Sequence, residues 1–264
     1  MYFLVIAIVF ILILAHLRFN IFCKAQSGLR ILMYHKISKD KNDKLTVSQK
    51  LFDKQMNYIK KNGYNIIDFD DLQDILTNKK QMPQKPLIIT FDDGYKNNLE
   101  YAVPIMEKYG FKYTVFVVAE YIGKFNYWDE GSENLMNFDE LKIILSKNGK
   151  IGLHSLTHRN FKDMTSAEFE YDVSETINIF KKNSLEFSNV IAYPYGALPQ
   201  NENLKNEFKK ILEKYGILFG LKIKSKINKI PFDDNYELTR LNIKGTDSFF
   251  EFKIKIRKGK TKLF

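Results

Sequence analysis

The sequence predicts an α/β fold whose parallel sheet closes, wholly or in part, into a barrel. Three observations lead there. Short apolar runs alternate along the chain with longer stretches of helical periodicity. From Leu29 onward no repeat, low-complexity linker or Pro/Gly-rich break interrupts that alternation. Seven or eight strand–helix units recur, as a (β/α) barrel requires. The expected strands are Arg30–Tyr34, Asn65–Phe69, Leu87–Phe91, Tyr113–Val118, Lys150–Leu153, Asn189–Tyr193, Ile217–Leu221 and Glu237–Ile243. Helices are expected over Ser48–Asn62, Asn97–Tyr109, Phe138–Lys147, Ser166–Lys182 and Asn201–Tyr215. In the first, Leu51, Phe52, Met56 and Ile59 share one face. Thr165 or Ser166 is the expected cap of the fourth, and Gly110 and Gly216 sit just past helix ends.

Composition narrows the function classes. With 264 residues, 45% hydrophobic and 14% aromatic, the chain can bury a core without a disulfide lattice. It has one cysteine, Cys23, so a metal site would be built from His, Asp and Glu, with four histidines to draw on. The formal charge of +10 would suit anionic lipid, an anionic wall or nucleic acid, although a Lys- and Asn-rich composition spread over a solvated surface is its plainer reading. No Arg-rich block or aromatic–basic RNA motif accompanies it, so no nucleic-acid partner is expected, and the sequence names no protein partner.

Residues Tyr2 to Leu14 are uninterruptedly apolar, and Tyr2 to Phe22 just reaches the roughly 20 residues that span a bilayer. The division expected is residues 1–25 as a membrane anchor or signal segment and 26–264 as the main domain. Arg18, Lys24 and Arg30 follow the apolar run, which by the positive-inside rule would leave the main domain in the cytoplasm. The chemistry below points instead to an extracellular domain, on a single-pass anchor or secreted if the segment is cleaved.

Leu87–Phe91 runs straight into Asp92-Asp93-Gly94, so two carboxylates stand at a buried strand's end, where a cation or a shared proton must offset them. At the end of another strand, His154 and His158 are four residues apart; a helical turn there would face both imidazoles the same way. With Asp93 they form a two-His, one-carboxylate set with open positions for water. Pro194-Tyr195-Gly196 closes a third strand with a tight turn that can aim a backbone N–H into a pocket. His35 ends the first strand. Trp128, in a loop after the Tyr113–Val118 strand, suits either a sugar-stacking or a packing role.

Together, Thr90-Phe91-Asp92-Asp93-Gly94-Tyr95, the His154/His158 pair and Pro194-Tyr195-Gly196 resemble, in order, the first three motifs of the polysaccharide deacetylases, the NodB-homology family or carbohydrate esterase family 4. The resemblance implies a distorted (β/α) barrel of about seven strands. It also implies hydrolysis of N-acetyl groups on an extracellular polymer of N-acetylglucosamine, whether poly-β-1,6-linked, peptidoglycan or chitin-like. By the same resemblance Asp93, His154 and His158 hold a divalent metal, zinc or another such as cobalt or nickel. Asp92 is then the general base, and Tyr195 supplies an oxyanion-binding N–H.

The departures are specific. The family's usual arginine two residues before the motif-three proline is replaced by Ala192, and no histidine follows His158 to supply the late general acid. Tyr-His early and Ala-Tyr-Pro-Tyr-Gly late resemble the poly-N-acetylglucosamine deacetylase branch, in whose light His35 becomes the candidate acid. Arg240 is the candidate replacement for the missing guanidinium, with a surface position as its plainer reading. A silent glycan-binding module or an O-acetyl esterase on the same barrel are the alternative functions.

Overall fold

The computed structural model describes residues 2–19, 25–129 and 131–260, with the backbone alone for residues 16–19. A helix, α1 (Tyr2–Phe19), precedes the barrel. Strand β1 (Arg30–Tyr34) leads to a two-stranded parallel pair, β2 (Lys36–Ser38) and β3 (Thr46–Ser48), and to α2 (Gln49–Lys61). There follow β4 (Asn65–Ile66), α3 (Phe69–Leu76), β5 (Pro86–Phe91), α4 (Val103–Tyr109), β6 (Tyr113–Val117), α5 (Phe138–Ser146) and β7 (Gly149–Leu153). The chain ends with α6 (Ser166–Lys182), β8 (Val190–Ala192), α7 (Glu202–Lys214), β9 (Phe219–Ile223), β10 (Leu238–Asn242) and α8 (Phe249–Lys258).

The sheet runs β1-β10-β9-β8-β7-β6-β5-β4, and β1 also pairs with β5, so seven strands close into a parallel barrel with β4 as an outer appendage. Alternation along the strands then sorts the side chains. Leu32, Leu87, Ile89, Val115, Ile151, Ile191 and Leu241 face the helices in the larger core. Ile31, Ile88, Phe116, Val190, Ala192, Phe219, Leu221 and Leu238 fill the barrel itself. Helix α3 closes the end opposite the mouth, with the Phe69 ring 6.2 Å from Phe116 and 5.9 Å from Phe219.

Helix starts follow side-chain caps. Ser48 accepts from Leu51 N at α2, and Thr165 and Glu168 form a reciprocal capping box at α6. Two expectations change. The strand expected over Asn65–Phe69 stops at Ile66, because Asp68 accepts from Asp71 N and starts α3. The helix expected from Asn97 begins as a wide turn over Asn98–Ala102 before α4 continues to the left-handed Gly110.

The membrane-spanning helix expected over Tyr2 to Phe22 is not supported: among the described residues, no helix is long and apolar enough to cross a membrane. Helix α1 has 18 residues, about 27 Å at 1.5 Å per residue against a hydrocarbon core of about 30 Å. Its side chains from Tyr2 to Leu14 are apolar and exposed. Asn20 to Phe22, the rest of the expected span, and Cys23 lie outside the described residues.

Gly152 on β7 faces the barrel interior, where an added Cβ would lie 2.4 Å from Phe116 Cε1. Gly152→Ala is expected to cost about 1–3 kcal/mol by overpacking, measured as a lower midpoint of urea unfolding. An unchanged midpoint would contradict this packing.

Candidate metal centre and active cleft

Strand β5 carries its inward side chains at Ile88 and Thr90, so the next, Asp92, sits inside the barrel mouth just past the strand's end. Its N–H donates to Tyr34 O at 2.9 Å, which carries the β1–β5 pairing one step further. The chain then turns left-handed at Asp93 (φ 73°) and Gly94 (φ 74°). That turn is how adjacent residues reach one site, since on a continuing strand Asp93 would point away from Asp92. A left-handed aspartate is strained and persists only where its surroundings hold it.

The His154–His158 segment is not a helical turn. Ser155 (φ 70°) and His158 (φ 61°) are both left-handed, and the loop is fixed from several sides. His154 N donates to Val117 O, Ala119 N to Ser155 O and Glu120 N to Leu156 O. Within the loop, His158 N donates to Ser155 Oγ at 2.7 Å. The His154 ring is set by a 2.7 Å hydrogen bond between Nδ1 and the Ala192 carbonyl. A carbonyl can only accept, so Nδ1 carries the proton and Nε2 keeps its lone pair for a metal. The His158 ring lies between Trp128, stacked at 4.7 Å, and Tyr195, edge-on at 4.9 Å.

Both Nε2 atoms stand 3.3 Å from Asp93 Oδ1. That oxygen is buried without a well-formed hydrogen bond. Donors 2.0–2.1 Å from a tetrahedral zinc would lie about 3.3–3.4 Å apart, so the spacing fits a cation better than it fits hydrogen bonds. Among the described residues, Asp93, His154 and His158 are the His/Cys/Asp/Glu cluster close enough to ligate one ion. Burial opposes ionisation of Asp93, yet the adjacent His154 and His158 imidazoles and the charge of His35 hold its pKa well below the ordinary value. For the imidazoles, burial lowers both. At His158 it prevails, whereas Asp93 and Asp92 more than offset it at His154 and raise that pKa.

Arg240 is buried completely, not on the surface. From the inward face of β10 its guanidinium grips Asp92 with both nitrogens, Nη1 to Oδ1 at 2.5 Å and Nη2 to Oδ2 at 2.8 Å. The fork geometry gives both strength and direction. Burial raises the Asp92 pKa, but Arg240 first, then His154 and His35, bring it below the ordinary value. Asp92 is therefore ionised at neutral pH. The guanidinium missing at position 192 arrives from another strand.

Asp92, Asp93, His154 and His158 line a cleft of about 430 Å³ together with His35, Trp128, Asp129, Tyr195 and Asn242, and Arg240 lies behind Asp92. His35 Nδ1 is buried without a partner. Tyr195, held left-handed at φ 58° between Pro194 and Gly196, leaves its ring half exposed at the rim. The structure thus brings together all seven residues singled out in the sequence: His35, Asp92, Asp93, His154, His158, Tyr195 and Arg240.

Sequence reasoning missed Asp172. It is buried on α6, and its Oδ1 accepts from Leu156 N at 3.0 Å, midway between the two histidines. Burial pushes its carboxyl up to about 7. A signal was available: Asp172 falls on the apolar stripe of α6 with Phe169, Val173, Thr176 and Ile177, where a carboxylate is out of place.

Residues 79–218, just over half of the chain, match the polysaccharide deacetylase family, and the chain belongs to that family. Among curated relatives, the polysaccharide-deacetylase homologue YxkH of Bacillus subtilis is 28% identical over 193 residues, covering 73% of this chain. The match spans 63% of that relative's length. A poly-beta-1,6-N-acetyl-D-glucosamine N-deacetylase of Staphylococcus aureus is 27% identical over 227 residues, covering 80% of this chain and 71% of its own. The solved structure of IcaB from Ammonifex degensii shares the fold, with a TM-score of 0.73 at 19% identity over 88% of this chain and 97% of that one. His35 and Arg240 lie outside the family-matched segment, so the place of His35 in the cleft and of Arg240 behind Asp92 rests on geometry alone.

Two expectations follow. Arg240→Met leaves Asp92 buried without its cation, which costs about 3–5 kcal/mol. Equilibrium unfolding should show that loss, together with reduced turnover; wild-type stability would mean that the pair does not bear on the fold. Asp172→Leu strands the Leu156 N–H and should weaken zinc affinity by about tenfold or more, whereas Asp172→Asn keeps an acceptor and should restore it. Equal affinities by competition titration would separate Asp172 from the metal loop.

Proposed function

We propose that the protein is a metal-dependent hydrolase that removes N-acetyl groups from N-acetylglucosamine units of a polysaccharide. The observation that carries this reading is an ionised carboxylate, Asp92, gripped by Arg240 directly beside a buried Asp93–His154–His158 donor set. A glycan-binding module has no chemical use for a base so placed.

A divalent cation held by Asp93, His154 and His158, zinc by preference for this donor set, with cobalt or nickel as substitutes, supplies Lewis acidity toward the acetyl carbonyl and the attacking water. Asp92 takes the proton of that water; its other contacts, to Arg240, keep it ionised and aimed. The Tyr195 N–H, presented by the strained turn, donates to the developing oxyanion. His35 delivers a proton to the departing nitrogen, leaving acetate and a free amine. Trp128 stacks on His158 and shields the metal loop from the side.

The relatives named for poly-β-1,6-N-acetylglucosamine deacetylation support that polymer as substrate over peptidoglycan or a chitin-like chain. Such a polymer lies outside the cell, and we infer the same location for the barrel, with residues 26–264 as its catalytic domain. The exposed apolar surface of α1 supports membrane association for residues 1–25.

The test is acetate release by the full chain in detergent from N-acetylated and O-acetylated oligomers, with and without chelator. Chelator-sensitive release from the N-acetylated oligomer is expected, and none from either substrate contradicts the reading. Asp92→Asn should lower turnover by roughly 10²–10⁴-fold, the usual worth of a general base, with metal still bound, and His35→Ala should slow it at unchanged metal content. Full activity in either variant removes that residue from its role.

A further inference from the structure

Three carboxylates line the cleft, and two of them are committed: Asp92 to the Arg240 guanidinium and Asp93 to the two imidazoles. Asp129 is the third, and it is exposed. Among the described residues its carboxylate has no hydrogen-bond or ion-pair partner, and no Lys or Arg lines the cleft beside it. Its backbone, by contrast, is fixed. Asp129 N and Gly131 N donate to Asn126 O at 3.0 and 3.2 Å, while Leu135 N donates to Lys124 O and Met136 N to Gly94 O, each at 2.9 Å. The last of these fastens the loop to the turn that carries Asp93. Trp128, the residue before, is stacked on His158. The phenols of Tyr95 and Tyr195 are both raised, by burial first and then by Asp93, and the Asp129 charge adds to each, which places its carboxylate on their side of the cleft. An acceptor-only group held open at a fixed place is prepared for a ligand that brings donors.

Sugar chemistry says which donors those are. On the deacetylase reading, on which this inference rests, the unit in the cleft turns its 2-acetamido group toward Asp93, His154 and His158. The anomeric carbon on one side of that group carries a bridging oxygen, which has no proton to give. The carbon on the other side carries the 3-hydroxyl, with the 4-hydroxyl next to it. In a β-1,6-linked chain both are free, and as equatorial neighbours they can reach the two oxygens of one carboxylate together. In a β-1,4-linked chain the linkage consumes the 4-hydroxyl, and the pair is broken. A carboxylate opposite that edge tells the two linkages apart.

We infer that Asp129 is a specificity-determining residue whose carboxylate accepts the 3- and 4-hydroxyls of the reacting sugar and so selects β-1,6-linked over β-1,4-linked chains. A site built to pair with a substrate hydroxyl discriminates against the analogue that lacks it. Hydrogen bonds to a charged acceptor are strong enough for a preference of about tenfold, and the exposure of Asp129 to water keeps it from being much larger.

The experiment measures kcat/KM of the full chain for β-1,6-linked and β-1,4-linked N-acetylglucosamine oligomers of equal length. The β-1,4 oligomer is methylated at its terminal 4-hydroxyl, so that no unit keeps the pair. Wild type, Asp129→Ala and Asp129→Asn are compared, with zinc content measured for each. The wild type should favour the β-1,6 oligomer. Asp129→Ala should lower kcat/KM on that oligomer by about tenfold, with a smaller fall on the β-1,4 oligomer, at full zinc content. Asp129→Asn, left with one acceptor oxygen, should narrow the preference as well. An equal fall on both oligomers, or a loss of zinc, would make Asp129 a support of the loop, and the inference would be wrong. It is equally wrong if neither rate changes, or if the wild type favours the β-1,4 oligomer. Failure of the underlying reading looks different: the wild type itself would release no acetate from either oligomer.

Discussion

Asp92 and Asp93 are consecutive, both buried in the mouth of a closed barrel, and two carboxylates in that setting do not stay ionised without positive charge close by. The rest of the molecule is arranged around how each obtains it. Asp92 has the Arg240 guanidinium, reached across the barrel interior. Asp93 has two imidazoles at a spacing that suits ligands of a common ion better than hydrogen-bonded partners. The division assigns the roles. On the proposed reading, the carboxylate held by a permanent cation is ionised and free to accept a proton, and the one facing the imidazoles is the metal ligand.

Holding those charges apart, yet within one cleft, demands a rigid frame. The parallel barrel supplies it by placing the ends of β1, β5, β7, β8 and β10 at one mouth. His35, Asp92 and His154 leave strand ends and Arg240 leaves the middle of β10, all on the inward alternation, whereas Asp93, His158 and Tyr195 depend on left-handed backbone. Such conformations cost of order 1–3 kcal/mol each. Around His158 the loop is over-determined by hydrogen bonds with Val117, Ala119, Glu120 and Asp172. Four of the eight described non-glycine residues in left-handed conformation, Asp93, Ser155, His158 and Tyr195, lie at the site.

Much of this was legible in the sequence, for local reasons. Apolar runs and helical stripes are short-range patterns, and Asp-Asp-Gly at a strand's end or His-x-x-x-His declares itself within a few residues. The family resemblance added the order of the motifs. What stayed hidden is what closure of the barrel decides. Nothing in Leu238-Thr239-Arg240 marks the arginine as buried, because its partner lies 148 residues away and meets it only once β10 and β5 flank β1. The sequence could bring the two imidazoles together only on the condition of a helical turn, whereas left-handed Ser155 and His158 do so in the structure. Helix α3 was missed although Asp68-Phe69-Asp70-Asp71 carries a cap and an acidic first turn, since the apolar Ile66–Ile67 run read as strand. The membrane-spanning reading of the N-terminus rested on hydrophobic length, which the described helix does not supply.

The central claim is that Asp93, His154 and His158 close on a single divalent ion beside an Arg240-held base. The most direct measurement is anomalous diffraction at the zinc edge from crystals of the protein grown with zinc. The account predicts one peak within bonding distance of Asp93 Oδ1 and both Nε2 atoms, with Asp92 still paired to Arg240. A peak elsewhere, or none with the three side chains turned apart, would contradict it.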